Sequence, residues 1–209
     1  MSARRLPTLV VPLVGALLLV AMATAPGRAD TVAPGADATP RPPPAVRREL
    51  DRAQDLLLVQ LASLPQDSGV LILRDPERVV LRIPARLMFE FDSAALKEDP
   101  AAAAALAASR QLLRKHPRLQ AQIVVYTDSI GGASANQSLS EQRAQSVYAA
   151  LTAAGIAPGR LSQHGAGATA AVASDATPQG RIENRRVEIA FWRAGSPAAE
   201  VRPVPAAAP

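Results

Sequence analysis

The chain has 209 residues, room for one globular domain with appendages. Apolar residues make up 48% and aromatics only 3%, so the core must be aliphatic; with no cysteine, disulfides, thiolate metal sites, a cysteine nucleophile and a lipid carried on an N-terminal cysteine are excluded. The formal charge of +5 is weak evidence for nucleic acid, because Arg4, Arg5 and Arg28 crowd the first 29 residues and without them 20 basic residues face 18 acidic ones.

Met1–Arg5 is a short positive stretch, Leu13–Ala23 is an apolar run, and Gly27-Arg28-Ala29 presents small residues where a signal peptidase cuts. Residues 1–29 are expected to be a signal peptide, with Ala21-Met22-Ala23 as a second cleavage signal. The alternative is a retained membrane anchor, since Leu6–Ala25 is 20 residues without a charge. Both readings place the rest of the chain outside the cytoplasm. Residues 30–46 carry five prolines and read as an extended linker. Residues 194–209 read as a disordered Pro/Ala-rich tail.

The block between them is of domain size. Leu50, Ala53, Leu57, Leu61 and Leu64 recur three or four apart, so residues 47–64 are expected to form an amphipathic helix. That helix packs on its own domain or serves a homodimer. Gly69–Arg74 and Val79–Pro84 flank a turn at Asp75-Pro76-Glu77-Arg78 and read as a hairpin. Arg86–Phe91 reads as the next strand. Asp99 before Pro100 is an N-cap, opening a helix that stops at Lys115 ahead of His116-Pro117. Gln122–Tyr126 is a short apolar strand, followed by a loop over Thr127–Asn136. Ser138-Leu139-Ser140-Glu141 reads as a capping box opening a helix to about Ala154, with Gly155 beyond its end. Leu161–His164 reads as a strand, Gly165–Gly180 as a loop and Arg186–Trp192 as the last strand. Strands alternating with helices indicate a two-layer sandwich with helices on one face of a sheet.

The informative polar residues cluster at the loop after the apolar strand and in the helix that follows. Asp128 offers a carboxylate to an ammonium. Arg143, about one turn inside the expected helix, offers a planar fork of donors to a carboxylate. Held a few ångströms apart, the two suit a ligand with both an amine and a carboxylate. The plainer alternative is that Asp128 and Arg143 pair with each other and staple loop to helix. A second cluster, Gly180-Arg181 and Asn184-Arg185-Arg186-Val187, has its own plainer reading as a solvated basic turn.

In this order the residues resemble the OmpA-like peptidoglycan-binding domain, found also in Pal lipoproteins and flagellar MotB stators. The matching residues are Phe89-Glu90-Phe91-Asp92-Ser93-Ala94 with Leu96; Thr127-Asp128 with Gly131; Asn136, Leu139-Ser140 and Arg143-Ala144; Val147, Leu151 and Gly155; Arg160, Gly165 and Gly167; then Thr177, Gly180-Arg181 and Asn184-Arg185-Arg186-Val187-Glu188. The resemblance implies an α+β fold for residues 65–193, an OmpA-like sandwich with helices packed on a mixed β-sheet. It implies non-catalytic binding of the meso-diaminopimelate of the peptidoglycan stem peptide, with Asp128 on the amine and Arg143 on the carboxylate. Thr127 and Asn136 would shape the loop and add hydrogen bonds, Leu139 would belong to the ligand-binding set, Phe91 and Asp92 would line the neighbouring strand end, and Arg185 would approach the ligand or brace the loop. Two departures stand out: Val125-Tyr126 replaces the family's Gly-His, and the alanine-rich 165–177 loop lacks the usual proline and asparagine.

The resemblance implies no metal, cofactor or nucleic acid. It implies a periplasmic, cell-envelope protein, with association to the outer membrane open. A partner protein docking through residues 47–64 or the tail is a further expectation, and membrane contact is expected only through an uncleaved N-terminus. The rival reading is a peptidoglycan-anchored, stator-like part of an inner-membrane machine. An enzyme is the least supported reading: no nucleophile–base pair is visible, and His116 and His164 fall at element ends.

Overall fold

The structure is a computed structural model that describes residues 42–196. The expected signal peptide or anchor, most of the linker and most of the tail lie outside the described residues. The chain divides between Thr39 and Pro40, and everything described belongs to the second unit. Among the described residues no helix is long and apolar enough to cross a membrane.

Helix α1 spans Pro44–Leu61 and so begins inside the stretch expected to be linker. Proline is tolerated at the start of a helix, because the N–H it lacks would have no intrahelical partner there. Val46 and Arg47 donate to the Pro43 carbonyl at 2.9 and 3.2 Å, which closes the first turn. Val46, Leu50, Ala53, Leu57 and Leu61 are buried in the main core, so the apolar stripe is spent within the chain.

Strands β1 (Leu71–Arg74) and β2 (Arg78–Pro84) form the expected antiparallel hairpin. Asp75 closes its turn by accepting from the backbone of Glu77 and Arg78, both at 2.9 Å. The strand expected at 86–91 is instead a single helical turn, α2 (Ala85–Met88), followed by Phe89 in extended conformation. Leu87, Met88 and Phe89 are all buried. Three consecutive apolar residues cannot share one face of a strand, whereas a helical turn points Leu87 and Met88 inward together.

Helix α3 runs over Pro100–Lys115, the bounds read from the sequence. The Asp99 side chain accepts from Ala101 and Ala102 N–H at 2.8 and 3.1 Å, satisfying two of the orphan donors at a helix start. Strand β3 (Leu119–Tyr126) begins three residues earlier than expected.

Helix α4 (Ala133–Ala153) opens with Gly132 as N-cap, so the expected capping box at Ser138 lies inside the helix. Ser-x-x-Glu spacing also occurs inside helices, and the actual signal is Gly131, whose φ of +94° turns the chain into the helix. The far end is as expected. Gly155 adopts φ +86°, and it and Ile156 donate to the carbonyls of Thr152 and Leu151, the Schellman arrangement.

Strand β4 (Leu161–Gly167) extends past His164 and lies directly against α4. A Cβ at Gly165 would stand 2.2 Å from the Glu141 nitrogen, so only glycine permits this approach. The stretch expected to be loop up to Gly180 contains α5 (Pro178–Asn184), N-capped by Thr177 through Gly180 N–H at 3.0 Å. Thr177-Pro178 is the start signal of this helix, and Gly180 sits within it. Its role is close approach, since a Cβ there would meet the Ser174 carbonyl at 2.0 Å.

Strand β5 (Arg186–Arg193) completes a sheet of order β1-β2-β5-β3-β4, antiparallel except for the β3–β4 pair joined through α4. Val79, Leu81, Ile83, Ile123, Val125, Ile189 and Phe191 point to one face, where the helices supply Leu50, Leu57, Leu112 and Val147. The result is the expected α+β sandwich with helices on a mixed sheet.

Candidate functional site

The sheet register brings three chain segments to one end. Tyr126 pairs with Gly167 on one side and with Arg186 on the other. Thr127 continues the ladder by donating to the Gly167 carbonyl at 2.8 Å. Asp128, the next residue, is 6% exposed and forms an ion pair with Arg185 through Oδ2. Its Oδ1 accepts the Ile130 N–H at 3.1 Å. Asn136, expected in the loop, stands in the first turns of α4 and reaches back to it. Its Nδ2 donates to the carbonyls of Asp128 and Ile130 at 3.2 and 3.0 Å. The loop acid is therefore held by backbone, amide and guanidinium together.

Asn136, Ser140 and Arg143 are four and three residues apart, so they share the buried face of α4. Arg143 is 6% exposed. Its Nε donates to the Ser93 carbonyl at 2.8 Å and its Nη2 reaches the Glu90 carbonyl at 3.4 Å. Its guanidinium carbon lies 5.0 Å from the Phe89 ring centroid, a cation–π contact. Burial pulls the Arg143 pKa below its usual range; the Asp92 carboxylate opposes this and the Arg185 charge adds to it. Among the described residues no hydrogen bond or ion pair joins Asp128 to Arg143. The Asp128–Arg143 staple weighed from sequence is not formed among the described residues; Asp128 pairs instead with Arg185, at the end of α5.

Phe91 is 98% exposed, and Asp92 adopts φ +49° in the turn beside Arg143. Leu139 is half-buried on α4. Thr127 Oγ1 is buried and has no hydrogen-bond partner among the described residues. Buried hydroxyls are seldom left unpaired, so this atom marks a place where a further polar group would be stabilised. Tyr126 packs under Arg186, whose guanidinium carbon is 3.7 Å from its ring centroid. Desolvation first and the Glu188 charge second push its pKa up to about 12.

Three supporting residues were quoted in the sequence pattern without a role. Ser140 Oγ donates to the Gln137 carbonyl and accepts the Gly167 N–H, both at 2.9 Å, tying α4 to the end of β4. Ser93 presents the carbonyl that holds Arg143. Asn184 holds the alanine-rich 165–177 loop: its Oδ1 accepts from Val172 and Ala173, and its Nδ2 donates to Ala173 and Asp175. Their signal was position within the pattern; their roles depend on partners distant in sequence. His116 and His164 are not part of this end. His116 caps α3, where burial lowers its pKa, and His164 is exposed on β4.

The site thus places Asp92, Arg143, Arg185 and Asp128 as charges of both signs within one another's reach. Of the five N–H donors of Arg143, two are committed to backbone carbonyls and three remain. Such a set is chemically suited to a ligand bearing both signs, and the residues brought together include no activated nucleophile.

Comparison with known proteins bears on the family and the fold. The model of the OmpA family matches residues 88–185. The probable lipoprotein YiaD of Escherichia coli (strain K12) is 36% identical over 135 residues, which are 65% of this chain and 61% of the relative. Outer membrane protein A of Bordetella avium is 34% identical over 149 residues, 65% of this chain and 72% of the relative. The chain therefore spans less than two thirds of YiaD but most of the Bordetella protein. Among solved structures, the cell wall anchor of the T6SS from Pseudomonas aeruginosa superposes with a TM-score of 0.57 at 29% identity, covering 66% of this chain and 96% of that one. The five-stranded mixed sheet, the residue pattern from Phe89 to Glu188 and these matches lead to one conclusion: the chain belongs to the OmpA family.

Proposed function

We propose that this domain binds peptidoglycan without chemistry, by gripping the diaminopimelate residue of the stem peptide. Asp128 takes the ligand's ammonium and Arg143 its carboxylate. The observation that carries this reading is that the two groups stand at one sheet end without bonding to each other, while Arg143 keeps three donors uncommitted. The unpartnered Thr127 hydroxyl adds a third contact, and Asn136 and Leu139 shape the loop. Exposed Phe91 and the Asp92 turn form the rim, and Arg185 yields part of its ion pair when the ammonium arrives. Membership of the OmpA family and similarity to a cell wall anchor support the same ligand class. The domain would work in the periplasm, with residues 1–29 as export signal, residues up to Pro43 as tether and residues 194–209 as a tail. An association with the outer membrane would fit its similarity to a probable lipoprotein and an outer membrane protein.

The test is co-sedimentation of the full chain with insoluble peptidoglycan. Asp128→Ala and Arg143→Ala are each expected to lose pelleting. Free meso-diaminopimelic acid should release the wild-type protein, and lysine, which lacks the second carboxylate, should not. Wild-type pelleting by both variants overturns the proposal.

A further inference from the structure

At the other end of the sheet, where β3 begins and β5 ends, cationic side chains gather around an open recess of about 310 Å³. Arg48 and Arg52 come from α1, Lys115 from the end of α3, Arg118 from the turn into β3, and Arg193 from the end of β5. Glu49 is the one carboxylate among the lining residues, and it pairs with Arg193 at 3.6 Å. Arg48, Arg52, Lys115 and Arg118 are exposed, and no salt bridge involves them among the described residues.

Folding alone accounts poorly for this cluster. Lys115 suits the negative end of the α3 dipole. Arg47 and Arg48, in contrast, stand near the positive end of α1, whose first turn holds no acid. Arg48 and Arg52 are four apart on that helix, a repulsive spacing for like charges. The whole chain has 23 basic and 18 acidic residues, so the concentration at this end is local.

We propose that this end of the domain docks on a membrane leaflet carrying anionic phospholipid headgroups. Charge complementarity is the first argument: four unpaired cations on an open surface match a dense layer of phosphates. Position is the second. The described chain starts at Pro42, beside Ala45 in the wall of the recess, and the residues before it include the uncharged stretch Leu6–Ala25. Whether that stretch inserts or is removed, the linker joins the domain at its basic end. A nucleic acid is the poorer match, because the one ring among the lining residues is the half-buried His116, and no Phe, Tyr or Trp stands there for successive bases to stack on. Strand β3 has eight residues at about 3.3 Å each, so the basic end and the Asp128 end are separated by about 25 Å. The domain would face wall on one side and membrane on the other.

The experiment is flotation of the full chain with vesicles of phosphatidylglycerol or of phosphatidylcholine at equal lipid. Any insertion by the N-terminal segment is common to both lipids and cancels in the ratio. The wild type is expected to prefer phosphatidylglycerol at least tenfold at low salt, and to lose that preference in 0.5 M salt. The variant R48Q/R52Q/K115Q/R118Q is expected to bring the ratio close to one. Its peptidoglycan pelleting should be unchanged, which shows that it is folded. If it misfolds, the pair R52Q/R118Q is expected to lower the ratio several-fold. Equal association of the wild type with both lipids overturns the proposal. So does a wild-type ratio in the folded variants, which would assign any preference to the N-terminal arginines. Capture of a short DNA duplex without a lipid preference would make the patch a general polyanion surface and also overturn it.

Discussion

The Asp128 carboxylate divides its two oxygens between the Ile130 N–H and the Arg185 guanidinium, and this division bears on how a ligand enters. The Arg185 side chain is 41% exposed, so the ion pair contributes only about 0–1 kcal/mol and can be shared at little cost. Arg143 is dearer to disturb, because its donors rest on carbonyls inside the fold. Tyr126 makes a different point at the same scale. Its phenol is buried and its pKa is pushed up to about 12, above the unfolded value near 10. The folded state therefore holds the proton more tightly than the unfolded state. Stability from this group is fully present below pH 10 and is lost as pH rises towards 12, in total roughly 2–3 kcal/mol. Urea midpoints measured from pH 9 to 11 should fall for the wild type and fall less for Tyr126→Phe. Parallel slopes for the two proteins would contradict the buried-phenol account.

Helix starts separate the signals that were read correctly from those that were not. Asp99 caps α3 with two hydrogen bonds, whereas Ser138 lies within α4 and caps nothing. Asp99→Ala should cost about 1 kcal/mol, and Ser138→Ala should stay within about 0.5 kcal/mol, both measured by urea denaturation. The order of losses would reverse if α4 began where its Ser-x-x-Glu pattern suggests. The α4 start has a functional consequence, since the earlier opening carries Asn136 onto a rigid helix, from which its amide clasps the Asp128 loop. The α2 turn has a similar one. It places Phe89 under Arg143 and leads into the turn whose carbonyls hold that arginine.

At the scale of the molecule, the two ends of β3 carry different chemistry about 25 Å apart. Sites at that separation with no shared partners act independently. Arg143→Ala should therefore abolish peptidoglycan pelleting and leave the lipid ratio untouched, while R48Q/R52Q/K115Q/R118Q does the reverse. Loss of both activities in either variant would point to global unfolding or to a single shared surface. Under the proposed function each peptidoglycan contact would be weak, and a domain tethered near a polymer that repeats its ligand would gain from effective concentration.

The α3 limits, the hairpin and the Gly155 stop were legible because each depends on neighbours within about five positions: a cap, a turn, a proline, a glycine. The α1 stripe was legible as a helix face, and its partner was not. The short helices α2 and α5 were missed because burial and close approach, rather than propensity, decide them. The residues in their order were enough to name the side chains of the candidate site and the chemistry each can offer. Tertiary structure alone decided that Asp128 pairs with Arg185, 57 residues away, and that Arg143 rests on Ser93, 50 residues away. A charge chooses its partner by distance, and only the folded sheet sets distances between residues so far apart in the chain.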